Sequence, residues 1–299
     1  MVEGHTVFVD GETLSPSEVL MVAQGRSKVE VSPDAWPGIH ASRAVVERIV
    51  QNDETVYGIN TGFGALVNQR ISSDDLAQLQ VNLIRSHATA LGPLMTVTEV
   101  RAMMVIRLNS LCKGHSGIQP HCIEQLVLFL NSNIHPAVPR IGSLGASGDL
   151  APLSHLALAL IGEGELIQDD GTLALTSDVL FTLGIIPVQL TAKDGLSLIN
   201  GTSQMAAYST LSHQRLKHLL PLADMILCTS MEARKCSVSP SNELVHKARP
   251  HPGQSLVAQR IRTLLNGSPI VGSHSDCDRV QDAYSFRCAP QVHGAVLEA

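Results

Sequence analysis

Apolar residues recur about every three to four positions along most of this chain, and this spacing predicts a fold built mainly from α-helices. Ser32 offers an N-cap and Pro33 suits the first position of a helix, so a helix is expected there that ends near Gln51. The other predicted helices run approximately over Ser73 to Leu91, Val100 to Leu111, Pro120 to Asn133, Asp149 to Gly162, Thr202 to Lys235 and Ser255 to Leu265.

Three local signals add detail to these elements. Thr96 and Glu99 have the spacing of a capping box, which marks the start of a helix. Asp170-Gly171 lies between two short alternating runs and predicts a β-hairpin. Pro221 falls inside the longest helical pattern, where a ring nitrogen cannot donate a hydrogen bond, so a kink is expected there. A helix of this length is typical of a helical bundle.

Composition narrows the function classes. Aromatic residues make up only 3% of the 299 residues, which suits helix packing better than a β-sandwich. The formal net charge is −6, and the sequence contains no cluster of Lys and Arg. Nucleic acid is therefore not an expected partner.

Cysteine spacing and apolar run lengths suggest a compartment. The six cysteines form no CxxC pair, so they are interpreted as free thiols of a reducing compartment, and no metal site is predicted. The N-terminus lacks the pattern of a secretory signal, and no apolar run reaches the roughly 18 residues of a membrane span. We therefore expect a cytoplasmic protein without a membrane partner.

The candidate chemistry begins in a glycine-flanked run, Gly142 to Leu153, with the sequence GSLGASGDLAPL. Its centre holds three small residues, Ala146, Ser147 and Gly148, which let a backbone nitrogen approach a preceding carbonyl carbon. The run resembles the self-cyclising loop of the aromatic amino acid ammonia-lyase and aminomutase family. In that family Ala-Ser-Gly loses two waters and becomes 4-methylidene-imidazol-5-one (MIO), an electrophilic prosthetic group. The resemblance implies that Ala146, Ser147 and Gly148 form MIO here.

Two further segments of the N-terminal part resemble this family. Tyr57 stands in the glycine-rich octet YGINTGFG, a loop that can serve as a lid, and the resemblance implies that it removes the β-proton of the substrate. A free phenol titrates at about pH 10, so its surroundings must activate Tyr57 as a base. His87 ends the segment NLIRSH and corresponds to the family's specificity residue. A histidine there suits an imidazole or a phenol and disfavours phenylalanine.

The remaining assigned residues lie further along the chain. Asn200 in the segment LINGT is implied to contact both MIO and the bound amino acid at the start of the long helix. Within the segment from Asp276 to Gly294, Arg287 is implied to bind the substrate carboxylate, which a guanidinium pairs in bidentate fashion. Gln281 and Tyr284 would approach MIO and the polar end of the amino acid. Arg107 is interpreted as a structural residue of its helix, and His115 is a weaker candidate behind the site.

The resemblance extends from about Val9 to Gly294 and implies elimination of ammonia from an aromatic amino acid. The segment from Asp276 to Gly294 favours L-histidine, with trans-urocanate as the product. Ser203, where histidine lyases carry Gln, together with Gly114-His115-Ser116, is closer to tyrosine lyases and aminomutases. A tyrosine ammonia-lyase, a tyrosine or phenylalanine 2,3-aminomutase and a truncated, non-catalytic subunit therefore stay open as alternatives.

Domain organisation and assembly are also read from the resemblance. It implies an N-terminal helical domain with the MIO loop over residues 1–200, followed by the first part of a central helical bundle over residues 201–299. The family's C-terminal half is expected to be absent, so the bundle would be incomplete. The long helix from Thr202 to Lys235 would then expose apolar side chains. Family active sites draw on neighbouring subunits, so a homotetramer is expected.

Overall fold

A computed structural model describes residues 5–52, 54–61, 75–144 and 147–299. The chain divides into two compact units, Met1–Ser212 and His213–Ala299. Helices dominate both units, which confirms the predicted mainly α fold. The helices that begin in the first unit are α1 (Pro16–Ala23), α2 (Trp36–Gln51), α3 (Leu76–His87), α4 (Val97–Cys112), α5 (Pro120–Asn131), α6 (Leu150–Leu160), α7 (Thr176–Leu183), α8 (Asp194–Ile199) and α9 (Ser203–Ala233).

Short strands accompany these helices. The strands are β1 (His5–Val9), β2 (Ser27–Val31), β3 (Leu91–Leu94), β4 (His135–Pro136), β5 (Pro139–Ile141), β6 (Glu165–Ile167) and β7 (Leu173–Leu175). β1 and β2 pair in parallel, whereas β3–β5, β4–β6 and β6–β7 pair antiparallel. The β6–β7 pair confirms the hairpin predicted at Asp170-Gly171. The parallel pair was not predicted, because the helical reading of the N-terminal part overlooked two short alternating runs.

The core of the first unit surrounds α4. This helix is buried on nearly all sides, from Val100 to Cys112, and it contacts α1 and α5. Its predicted capping box is confirmed: Glu99 N–H donates to Thr96 Oγ1 at 3.3 Å, and the Glu99 carboxylate accepts from Thr96 N–H at 2.7 Å. Helices α3, α6 and α8 contact one another beside this core. These three helices carry or adjoin several of the predicted site residues.

The second unit is smaller. The last part of α9 belongs to it and is followed by α10 (Glu243–Lys247), α11 (Pro252–Leu264), α12 (Pro269–Gly272), α13 (Tyr284–Arg287) and α14 (Ala289–Glu298). Helices α11 and α14 approach closely where Gly253 meets Gly294, because neither residue has a Cβ. A Cβ at either position would collide with the backbone of the other helix. Pro221 lies inside α9. Several apolar side chains of this stretch of α9 are exposed, as the sequence indicates: Leu216, Leu219, Leu222, Met225 and Ile226.

Several helix boundaries differ from the predictions; α4 and α11, for example, each begin three residues earlier than predicted. The helix predicted from Ser73 begins at Leu76 and ends at His87, since β3 takes over at Leu91. Ser32 makes no capping hydrogen bond with its side chain, because Pro33 opens a short 3₁₀ turn before α2. The long helix begins at Ser203. Within the described ranges, no helix combines the length and the apolarity that crossing a bilayer demands.

Candidate functional site

The predicted MIO loop ends where α6 begins. Gly148 has a φ of +86°, a conformation that glycine adopts readily and other residues rarely do. It forms a parallel β-bridge with Gly201, and a Cβ on Gly148 would collide with the carbonyl oxygen of Gly201. Ser147 is exposed, whereas Ala146 lies outside the described residues. The position therefore requires glycine and brings the loop against the residue that follows Asn200.

Asp149 is the residue that fixes this contact. Its backbone N–H donates to the carbonyl of Gly201 at 2.6 Å, and its carboxylate is fully buried. The carboxylate accepts hydrogen bonds from Ser143 Oγ at 2.7 Å and from the backbone N–H groups of Gln204 at 2.7 Å and Met205 at 3.0 Å. It therefore caps the positive N-terminus of α9 from a distant segment of the chain. Sequence reasoning treated Asp149 only as a helix start.

We expect Asp149→Ala to lower the free energy of unfolding by about 2 to 4 kcal/mol, because the buried N–H of Gln204 and the partly buried N–H of Met205 lose their acceptor. Urea denaturation followed by circular dichroism measures this change. The matched control is Asp34→Ala, which removes an exposed carboxylate from the 3₁₀ turn of the same unit. Equal stability losses in the two variants would contradict the role assigned to Asp149.

Asn200 lies between α8 and α9. Its backbone N–H donates to the carbonyl of Leu196 at 3.2 Å and closes α8, while its side chain is exposed. The sequence placed Asn200 at the start of the long helix, but that helix begins at Ser203 because the Asp149 carboxylate caps it there. Asn200 therefore stands in the turn that the Gly148–Gly201 bridge holds.

Arg107 of α4 packs beneath this turn. It is 5% exposed, and its Nη2 donates to the carbonyl of Ser197. A Cβ on Gly201 would meet its Nη1, so a larger residue there would displace the Arg107 side chain. Burial lowers the pKa of Arg107 to about 10. These contacts agree with the structural role predicted for Arg107 and link it to the Asn200 turn.

Tyr57 shares a cavity with Asn200. The cavity measures about 640 Å³, and its lining includes Tyr57, Asn200, Gly201 and the exposed His115. Tyr57 is 59% exposed and lies in the turn that follows α2. The next residue, Gly58, has a φ of +77°, and a Cβ there would approach Leu196 Cδ2 to 2.7 Å. The last three residues of the predicted lid, 62–64, lie outside the described residues.

His87 shares a second, smaller cavity with the MIO loop. It is half-buried at the end of α3 and lines a space of about 230 Å³ together with Ser147 and Gly148. Its Nδ1 lies 2.8 Å from the carbonyl oxygen of Leu83. The carbonyl only accepts, and Ser86 Oγ, 3.0 Å from the same nitrogen, donates its own proton to Leu83. A neutral imidazole with its proton on Nδ1 satisfies both contacts and leaves Nε2 as an acceptor. In this form Nδ1 of His87 donates a hydrogen bond and Nε2 can accept one.

The other three predicted residues belong to the second unit. Gln281 and Arg287 line a cavity of about 740 Å³. Arg287 Nε donates to the carbonyl of Asp282 at 3.1 Å, and its guanidinium carbon lies 4.9 Å from the centre of the Tyr284 ring. Tyr284 itself is 72% exposed. The Arg287 guanidinium thus contacts a carbonyl and an aromatic ring, and it forms no ion pair with another described residue.

Sequence reasoning missed two contributors to the first unit's site. Gly201 and Asp149 hold the MIO loop against the Asn200 turn. The signal for Asp149 was available, since an acidic residue directly follows the small tripeptide. Its partners in α9 could not be read from local spacing, because they lie 55 and 56 positions further along the chain.

Known proteins resemble this chain over nearly all of its length. The family model described as aromatic amino acid lyase matches residues 14–299. Histidine ammonia-lyase of Myxococcus xanthus (strain DK1622) is 46% identical over 292 residues, which are 98% of this chain and 57% of that relative. Histidine ammonia-lyase of Gloeobacter violaceus (strain ATCC 29082 / PCC 7421) is also 46% identical, with the same two coverages.

Solved structures agree with these relatives. The tyrosine aminomutase from Streptomyces globisporus matches this chain with a TM-score of 0.90 at 39% sequence identity. The match covers 98% of this chain and 59% of the aminomutase chain. The histidine ammonia-lyase from Trypanosoma cruzi has a TM-score of 0.88 at 41% identity, with coverages of 98% and 54%. The chain spans a little more than half the length of these proteins.

Proposed function

This chain belongs to the aromatic amino acid lyase family, and from that premise we propose that it serves the elimination of ammonia from L-histidine, with trans-urocanate as the second product. The observation that carries the proposal is the Gly148–Gly201 bridge, which brings the predicted MIO loop beside the Asn200 turn. The assignment of histidine follows the two curated relatives described above. This chain covers 57% of the length of each of these histidine ammonia-lyases.

The residues present fit an MIO group. Gly148 has the positive φ and the lack of space for a Cβ that a tightly folded loop requires, and Ser147 is exposed beside it. MIO closed from Ala146, Ser147 and Gly148 would supply the electrophile that protein side chains lack and would make the substrate's amino group a better leaving group.

The chain's own residues bind the substrate and move its proton. Tyr57 is proposed to take the β-proton, and Asn200 to hold the amino acid through its amide, from the cavity that they share. Arg287 is proposed to bind the carboxylate, since its guanidinium has donors available beyond the one given to Asp282. Gln281 and Tyr284 are proposed to contact the polar end of the amino acid. We also propose a cytoplasmic homotetramer, the arrangement that the family resemblance implies.

The acceptor nitrogen of His87 supports a substrate whose ring donates a hydrogen bond. Its Nε2 accepts in the neutral form, and an imidazole N–H or a phenol O–H can donate to it. Phenylalanine offers no such donor. Histidine and tyrosine both satisfy this condition, and the identity to two histidine ammonia-lyases supports histidine.

We expect His87→Phe to lower kcat/KM for L-histidine by about tenfold to a hundredfold, because the ring of the substrate loses its hydrogen-bond acceptor. The activity toward L-phenylalanine should rise relative to that for L-histidine. Steady-state rates with both amino acids measure the change. His121→Phe makes the same replacement at an exposed position of α5 and should leave the preference unaltered. An unchanged preference in His87→Phe would exclude His87 from substrate selection.

Product analysis tests the proposed reaction. The purified chain is incubated separately with L-histidine, L-tyrosine and L-phenylalanine, and the ammonia and organic products are quantified. Urocanate with equimolar ammonia from L-histidine is the expected result. A β-amino acid would instead establish an aminomutase, an alternative favoured by the likeness to the tyrosine aminomutase. An unmodified mass for the peptide that contains Ala146 to Gly148 would favour a non-catalytic subunit.

A further inference from the structure

The cavity that Tyr57 shares with Asn200 is strongly basic. Three cationic side chains, Arg107, Lys113 and Lys193, line it. Among the described residues that surround it, none is Asp or Glu. Several hydroxyl groups face the same space, including those of Ser110 and Ser116. Donors and positive charge therefore concentrate here, and the described lining itself contributes no carboxylate.

Arg107 is the buried part of this basic lining. Its Nη2 has the carbonyl of Ser197 as a partner, but its Nε is buried and has no hydrogen-bond partner within the described parts of the chain. A buried donor without a partner costs free energy, and the cost is larger for a charged group. Burial is also the cause of the lowered pKa of Arg107, with no carboxylate offsetting it. The guanidinium thus lacks the anion that a buried arginine normally has.

Lys193 is the second cation of this cavity that forms no ion pair within the described residues. It is half-buried and stands before α8 with a φ of +72°. The neighbouring Asp194 carboxylate accepts hydrogen bonds from Gln119, Thr191 and Arg43. The Lys193 ammonium forms no ion pair with a residue of the described ranges. Lys113 differs, because it pairs with Glu12. Arg107 and Lys193 are therefore the two cations of this cavity that have no carboxylate partner among the residues that the structure describes.

We propose that this cavity binds a small oxyanion, a carboxylate or a phosphate, between Arg107 and Lys193 and beside Asn200. A guanidinium with a free N–H and an ammonium supply the charge-assisted donors that such an anion needs. The site lies in the first unit, whereas Arg287, the residue assigned to the substrate carboxylate, belongs to the second. An anion bound here would compete with an amino acid that reaches Tyr57 and Asn200. Binding is measured without turnover, so the proposal does not depend on the proposed reaction.

Isothermal titration calorimetry of the purified 299-residue chain tests the site, with inorganic phosphate and acetate titrated separately at low ionic strength. We expect saturable binding of one anion per chain. Arg107→Gln and Lys193→Gln should each raise the Kd by about tenfold, the loss of one charge-assisted hydrogen bond. Lys28→Gln, which removes an exposed lysine from β2, should leave the Kd unchanged.

The two anions separate the possible ligands, because tight phosphate with weak acetate identifies a phosphate site and the reverse identifies a carboxylate site. Circular dichroism verifies that each variant is folded. If Arg107→Gln fails to fold, Lys193→Gln decides the question, since the Lys193 carbonyl that accepts from Ser197 is kept and its side chain forms no ion pair within the described residues. Absence of saturable binding for both anions, or an unchanged Kd in Lys193→Gln, would overturn the proposal.

Discussion

Replacing Ser147 with alanine should abolish the proposed reaction, with kcat reduced by at least about a thousandfold. Formation of MIO would release two waters, one from the Ala146 carbonyl oxygen as the Gly148 nitrogen closes the ring and one from the Ser147 hydroxyl by elimination. Alanine has no hydroxyl to lose. The peptide that contains residues 146–148 should not lose both waters in Ser147→Ala, whereas the wild-type peptide should lack the mass of two waters. Intact-mass and peptide mass spectrometry measure the modification, and product assays measure the turnover.

The fold should survive this replacement. Ser147 is exposed, and the contacts that hold the loop come from Gly148 and Asp149. Ser177→Ala removes an equally exposed hydroxyl from α7 and should retain both the modification and the activity. Wild-type turnover by a Ser147→Ala preparation free of other enzymes would refute the MIO chemistry proposed for this chain.

Tyr57→Phe should lower kcat by about a hundredfold to ten-thousandfold, the contribution typical of a general base. The phenol oxygen is the only atom group removed, so the aromatic ring still fills its place beside the cavity. Ring closure in the MIO loop should proceed normally, because the loop contacts identified in the structure involve Gly148, Asp149 and Gly201. The measurement therefore pairs kcat with the mass of the loop peptide.

Tyr208→Phe is the matched control for this variant. Tyr208 lies half-buried in α9 within the same unit, so its replacement tests whether the loss of any phenol hydroxyl slows the reaction. We expect Tyr208→Phe to keep most of the wild-type rate. A Tyr57→Phe enzyme as fast as the wild type would show that another group takes the proton.

Local signals in the sequence gave the correct type of element in most places. The capping box at Thr96 and the hairpin at Asp170-Gly171 depend on residues within a few positions of each other, and both are present. The parallel pairing of β1 with β2 depends on residues about twenty positions apart. Alternating apolar residues, such as Val7 and Val9, were the signal that could have indicated it.

The sequence by itself determined the mainly helical character, the chemistry-bearing tripeptide and the family, because each is written in short runs of residues. The tertiary structure alone decided which runs meet. It joined Gly148 to Gly201, used Asp149 to cap a helix that begins more than fifty positions later, and placed the Arg107 guanidinium under the Asn200 turn. Such contacts form when packing brings distant segments of the chain together, and the spacing of neighbouring residues does not predict which segments will meet.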